Sequence, residues 1–297
     1  MPIYEIAALV AAASWALTGI VSTAPSRALG AMGFVRLRMA IVFVGLALAA
    51  TVLGGWSSLD ASMMGPIFLS GAVGIFIGDT ALFAAMNRLG PRATGLLFAA
   101  NAPIAALLGW IVLGETLAAL ALGGIALSFA GVLLAVGYGK RSDDGGNWLE
   151  DVRGPLWIGV AFGLLAATAQ AVGTLLARPV MMAGADPLAV SALRCLVAAV
   201  ALQGLAFASP VARLAAPLTW RLVRIVALSG FLAMGIGMTL LLFALEGGKV
   251  GIVSTLSATT PVMILPLLWY ATGRAPSPIA WVGAALTVAG AALIFAR

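Results

Sequence analysis

Ten apolar runs of about twenty residues each follow one another along this chain, at 3–23, 32–53, 63–86, 92–113, 117–138, 154–176, 187–208, 221–244, 250–271 and 277–296. A helix needs roughly 20 mostly apolar residues to cross the hydrocarbon layer of a bilayer, so each run is long enough for one crossing. Closed barrels are the only other spanning structure, and the alternating ten-residue segments they need are not seen here. Charged residues make up 9% of the 297, and mean hydropathy is +1.13. A soluble domain covers its surface with about 25%. The sequence therefore reads as an all-α integral membrane protein of ten transmembrane helices joined by short loops, with no room for a sizeable soluble domain.

The same composition narrows the chemistry. Cys195 is the single cysteine and there is no histidine, which excludes an intramolecular disulfide and removes the commonest metal ligand and acid/base group. The nearest approach to a phosphate loop, Glu246-Gly247-Gly248-Lys249-Val250, lacks its first glycine and final hydroxyl. No catalytic residues, cofactor or metal are expected, and the chain alone is not expected to drive transport with ATP. An intramembrane enzyme acting on lipids would need a constellation that the sequence does not offer. The net charge of +6 sits mostly in short connections, where it orients the helices rather than binding nucleic acid. The expected partners are the bilayer and a small molecule, with the chain as a monomer.

Self-similarity between the halves is the next constraint. Ser14, Thr18 and Arg38 correspond to Gln170, Thr174 and Arg194, each 156 residues later; Gly78, Thr80, Gly124 and Gly131 correspond to Gly237, Thr239, Gly283 and Gly290, 159 later; Pro103 corresponds to Pro261, 158 later. The most polar stretch, GKRSDDGGNWLEDVR at 139–153, lies between the halves. The expected organisation is a five-helix repeat at 1–139, a polar linker at 140–153 and a second repeat at 154–297. Five is odd, so the second copy enters the membrane from the opposite side, giving two inverted-topology repeats of the kind found in secondary transporters.

Of the 16 Lys and Arg, 12 fall in or beside odd-numbered connections. The excess of positive charge on cytoplasmic loops then places both termini outside a plasma (inner) membrane. The start, Met1-Pro2-Ile3-Tyr4-Glu5, lacks a basic region, so the first run reads as a retained span rather than a cleaved leader.

Ionisable residues within a span are costly and point to function. Asp79 is the clear case, with Phe76 at i−3 and Phe83 at i+4 on its helical face; it reads either as a substrate-facing carboxylate or as half of a pair within the bundle. Arg38 and Arg194 lie near the starts of their runs, where a long side chain snorkels to the interface; they read as anchoring or packing groups, with gating or substrate attraction as the alternative, and the repeat puts them on opposite membrane faces, which fits symmetric structural roles better than a shared site. Ser14, Thr18 and Ser22 form a polar stripe beside Trp15, and Gln170 with Thr174 forms its counterpart. Asn101 precedes Pro103, and Ser254, Thr255, Ser257, Thr259 and Thr260 precede Pro261, so both helices should kink or unwind there and act as hinges. Small pairs at four-residue spacing, Gly74/Gly78, Gly159/Gly163 and Ala233/Gly237, predict close helix contacts.

The run Gly78-Asp79-Thr80-Ala81-Leu82-Phe83, with Asn87-Arg88-Leu89-Gly90, LLFAANAPIAALLGWIVLGETL (96–117), a glycine-rich fifth run and Ser14-Trp15-Ala16-Leu17-Thr18-Gly19, resembles the EamA repeat of the drug/metabolite transporter superfamily. The likeness implies a ten-helix inverted repeat with a central pocket and alternating access. The second copy departs from it at Thr272-Gly273-Arg274, where the first has Leu113-Gly114-Glu115. Within the superfamily the chain looks most like YddG-type aromatic amino acid exporters. That implies export of an aromatic or large apolar amino acid, with a drug or another metabolite as the alternative. Trp15, Phe76, Phe83, Phe98 and Phe243 would then meet the side chain, and Asp79, Asn101, Gln170 and Thr260 the polar groups, with Ser14, Thr18, Thr174 and Thr239 beside them.

Overall fold

The computed structural model describes residues 2–113, 118–137, 152–247 and 256–295, and its regular elements are all helical. Glu115, most of the polar linker, Lys249, Ser254 and Thr255 lie outside the described residues. Helix α1 (Pro2–Leu29) is followed by α2 (Ala31–Leu53) and a 3-10 turn at Gly55–Ser58. Helix α3 (Ala61–Ser70) runs through a π-helical stretch, Gly71–Ile77, into α4 (Gly78–Ala99), and α5 (Asn101–Leu113) and α6 (Ala119–Gly137) complete the first half. The second half contains α7 (Leu156–Met182), α8 (Pro187–Ala208) and α9 (Trp220–Gly230), then a second π-helical stretch, Phe231–Met238. Helices α10 (Thr239–Gly247), α11 (Thr260–Thr272) and α12 (Pro278–Phe295) follow. Seven of the described helical stretches are long and apolar enough to cross a membrane, and the helices at Thr260–Thr272 and Pro278–Ile294 are shorter apolar ones.

The surface is inverted relative to a soluble protein. Val52, Leu53, Ile111, Leu133, Met182 and Phe207 point outward, while Ser22, Thr23, Ser26, Ser70, Thr94, Ser128 and Ser229 are sealed inside. Lipid solvates the first set. With no water to compete, Thr23, Ser70, Ser128 and Ser229 donate to carbonyls within the bundle, whereas the hydroxyls of Ser22, Ser26 and Thr94 have no partner among the described residues. The largest apolar core joins α2, α4, α8 and α9 through Phe34, Met39, Val42, Phe83, Cys195, Leu202 and Val226.

Two connections are tighter than the sequence suggests. Helix α1 continues six residues past the expected end of its run, and Gly30 alone (φ 74°, ψ 154°) turns the chain into α2. Gly90 (φ 79°, ψ 171°) breaks α4 in the same way, with Pro91 opening the next helical limb. Both glycines occupy a region closed to side-chain-bearing residues, and proline is at ease in a first turn, where its missing N–H costs nothing. Pro103 and Pro261 use the same allowance. The first sits in the opening turn of α5, after a break at Ala100, and the second near the start of α11.

The connections gather at two ends. The Asn87 amide donates to the Ser26 carbonyl (3.0 Å), Ala215 N–H to that of Leu29 (3.1 Å), and Arg153 N–H to that of Arg88 (2.8 Å), tying the α1/α2 turn, the break at Gly90 and the connections before α7 and α9 into one end. At the other, Asp186 N–H donates to Ser58 Oγ (2.7 Å) while its carboxylate caps α8 at Ala189 N–H (2.9 Å). Helices α6 and α12 meet backbone to backbone in antiparallel register. A Cβ on Gly124 would lie 2.6 Å from the Gly290 carbonyl oxygen, and one on Gly131 would lie 2.6 Å from that of Gly283. Between these crossings Ser128 Oγ donates to the Thr287 carbonyl (3.2 Å).

Candidate functional site

Helix α2 turns Phe34, Arg38, Val42 and Leu46 toward the core, a four-residue spacing that aligns them on one face. Helix α4 does the same with Asp79 and Phe83. Where these faces meet, Arg38 Nη1 donates to Asp79 Oδ2 at 3.3 Å. The Arg38 guanidinium carbon also lies 5.1 Å from the Phe83 ring centre and 5.9 Å from that of Phe34, and the two rings pack edge to face at 4.6 Å. Stacking on two ring faces suits a planar, weakly hydrated cation withdrawn from water.

Arg38 is only 2% exposed, so it does not snorkel to an interface. Position along the chain misled here. Arg38 lies seven residues, roughly 10 Å, beyond the start of α2, and its face is turned to the core, where Asp79 compensates its charge. Arg194 on α8 is 7% exposed and also turns inward, toward the π-helical stretch at Gly71–Ile77. A Cβ on Gly71 would stand 2.9 Å from Arg194 Cα, and one on Gly74 would stand 3.1 Å from Nη2. Gly230, just before the second π-helical stretch, does the same for Arg38, its missing Cβ lying 3.2 Å from Cγ. The expectation that the arginines are separated on opposite faces is thus corrected: entering from opposite ends, both reach the interior.

The π-helical stretches are the features that sequence periodicity does not disclose. A π-helical turn shifts the backbone hydrogen-bond ladder and recurs at functional sites. In the second stretch the carbonyls of Leu232 and Ala233 accept from Ser14 Oγ (2.6 Å) and Trp15 Nε1 (3.0 Å) on α1, and Gly237 leaves room for the indole. Beside the first, Ser70 Oγ donates to the Gly173 carbonyl on α7 (2.6 Å), Gly74 meets Gly173, and Gly78 rests against Ala169 with the Gln170 backbone next to it. Gly159 and Gly163 receive Leu89 and Leu97.

The remaining expected site residues are dispersed. Thr18 Oγ1 donates to the Ser14 carbonyl (2.8 Å). Phe76 is half-buried against the main core, and Gln170 and Thr239 are also half-buried. Thr174 is exposed. The Asn101 amide turns onto the Phe98 carbonyl (2.7 Å), closing the break between α4 and α5. Thr260 Oγ1 donates to the Ser257 carbonyl (3.1 Å) and, at 3.4 Å, to that of Ala12. Phe243 is exposed and packs on Tyr4, ring centres 5.3 Å apart, which puts it eleven residues, roughly 16 Å, along α1 from Trp15. Phe34 joins the site without having been expected there, and Arg38 and Arg194, read mainly as interfacial anchors, turn into it. The signal for Phe34 was available, since Phe34/Arg38 and Asp79/Phe83 are matching four-residue pairs. Among the described residues no group of three or more metal-ligating side chains comes together.

One solved structure, described only as a crystal structure of a protein, shares this fold with a TM-score of 0.68 at 21% identity, covering 98% of this chain and 95% of that one. No curated protein matches the chain. The profile of the EamA-like transporter family matches twice, at residues 2–137 and 157–296. A multi-pass helical chain with polar groups turned inward is the architecture such a match calls for, and the protein belongs to the EamA-like transporter family.

Proposed function

We propose that this protein exports an amino acid with an aromatic or large apolar side chain across the plasma (inner) membrane, by alternating access between two inverted five-helix repeats. Membership of the family makes it a membrane transporter of small metabolites; the substrate and the mechanism are our reading. The observation that carries it is a pair of matching interfaces. The start of the first family match, through Ser14 and Trp15, holds the π-helical stretch of the second, and the start of the second, through Ala169 and Gly173, packs on the π-helical stretch of the first. Both contacts run antiparallel. Such an exchange supports two copies entering the membrane from opposite sides, with the site between them. The break at Ala100 and the start of α11 near Pro261 supply hinges, and the linker at 140–153 joins the repeats.

Aromatic preference extends the likeness to YddG-type exporters and is supported by Trp15 and Phe76 beside the core, while Asp79, Asn101, Gln170 and Thr260 supply polar groups. The positive connections put both termini outside. The test is the purified protein in liposomes with a panel of labelled amino acids, with and without a pH gradient. Saturable counterflow of aromatic or large apolar amino acids is expected. Movement of none of them sinks the substrate assignment, and flux without saturation sinks the carrier mechanism.

A further inference from the structure

We infer that Arg194 is the anchor for a carboxylate group of the transported molecule; this deepens the proposed function and rests on its reading of the substrate as an amino acid. The charges of the interior do not balance. Arg38 and Asp79 form the one ion pair among the described residues. In the second half the position matching Asp79, between Gly237 and Thr239, is Met238, so Arg194 has no acid of its own. Among the described residues no hydrogen bond or ion pair reaches its guanidinium, and Nε is sealed without a partner. A buried cation in this condition is costly, and the cost is relieved when an anion arrives.

The surroundings are shaped to hold the cation in place. Gly71 and Gly74 present bare backbone to Arg194, and Gly173 on α7 closes on Gly74 from the other side. Gln170, whose backbone nitrogen lies 3.8 Å from where a Cβ of Gly78 would be, brings a neutral amide to the same pair of helices. The guanidinium therefore lies where the two family matches meet, at the first π-helical stretch. Its planar fork matches the two oxygens of a carboxylate, and Asp79 nearby, already paired with Arg38, disfavours a ligand carrying more negative charge than one carboxylate supplies.

The test uses the purified full-length protein, its R194Q and R194K variants, and four probes at constant ionic strength: 3-phenylpropanoate, phenethylamine, phenylalanine and chloride. The two carboxylates should raise the unfolding midpoint saturably, with apparent affinity at least about tenfold weaker in R194Q and partly recovered in R194K, while phenethylamine leaves it unmoved. Stabilisation by the amine equal to that by the acid, or R194Q within about twofold of the unaltered protein, overturns the inference; so does an equal shift with chloride, which would put an inorganic ion at Arg194. If R194Q does not fold, G74A, whose methyl presses on Nη2, must weaken the response to 3-phenylpropanoate, and unchanged affinity is refutation. Counterflow of labelled phenylalanine separates the two readings. Transport by R194Q at unchanged KM removes the anchor and leaves the exporter, whereas no transport by the unaltered protein together with an Arg194-dependent acid shift removes the amino acid export and leaves the anchor.

Discussion

Arg38 on α2 and Asp79 on α4 meet at 3.3 Å inside the bundle, each flanked four residues away by a phenylalanine that contacts the arginine. Removing one charge leaves the other buried and uncompensated, which costs about 3–5 kcal/mol. Asp79→Asn and Arg38→Gln should both lower the unfolding midpoint in detergent by comparable amounts. The double change Arg38→Met with Asp79→Leu should recover most of the loss, since apolar residues of similar volume replace such pairs at little cost. Single variants as stable as the parent would show that the pair does not hold the fold.

The glycine crossing of α6 and α12 gives a sharper steric prediction. Gly131→Ala would set a methyl 2.6 Å from the Gly283 carbonyl oxygen and from Thr287 Oγ1, and overpacking of this kind costs about 1–3 kcal/mol. Gly123, one residue from Gly124 on α6, has nothing within 4 Å of its missing Cβ. Gly123→Ala should therefore stabilise, by about 0.5–1 kcal/mol, through helix propensity alone. Unfolding of the two variants side by side checks the opposite signs.

Trp15 tests the second π-helical stretch. Trp15→Phe keeps the ring but loses the hydrogen bond to the Ala233 carbonyl, and should cost about 0.5–1.5 kcal/mol. Gly237→Ala should cost more, because its methyl would lie 2.5 Å from Trp15 Nε1. Measured in the Trp15→Phe background, the penalty of Gly237→Ala should stay within about 1 kcal/mol of its value alone, the six-membered ring still filling most of the space. Complete loss of the penalty would mean that the indole nitrogen is the sole obstruction.

Topology can be read by thiol labelling, because the only cysteine, Cys195, is fully buried on α8. Ser57→Cys, exposed in the 3-10 turn after α2, should react with an impermeant maleimide from outside intact cells. Ala215→Cys, exposed in the connection before α9, should react only after the membrane is opened. The reverse pattern would invert the assignment from positive connections.

Length, apolarity and self-similarity made the helical membrane class legible, because those constraints act along the chain. The four-residue offsets also located Asp79 with Phe83, and the glycine pairs marked helix contacts that the structure contains, such as Gly74 with Gly173. Sequence failed where the answer depends on which helix lies opposite. Arg38 looks like an interfacial residue until Asp79 faces it, and Phe243 looks like a pocket aromatic until α1 presents Tyr4 beside it. The π-helical stretches were hidden for a related reason: one extra residue per turn leaves composition unchanged and shows only as a phase shift of the face beyond it.

The crossing of α6 on α12 limits how the molecule can move. Its contacts repeat at two heights, Gly124 on Gly290 and Gly131 on Gly283, with Ser128 and Thr287 between them. Sliding one helix by one turn, roughly 5.4 Å, would put residues of the same face that carry side chains, Ala121 and Ser128, where Gly124 now meets backbone that only glycine can approach so closely. The two helices must therefore travel as one post. Any motion that carries a solute across has to be borne by the other helices, around a mast that keeps its register.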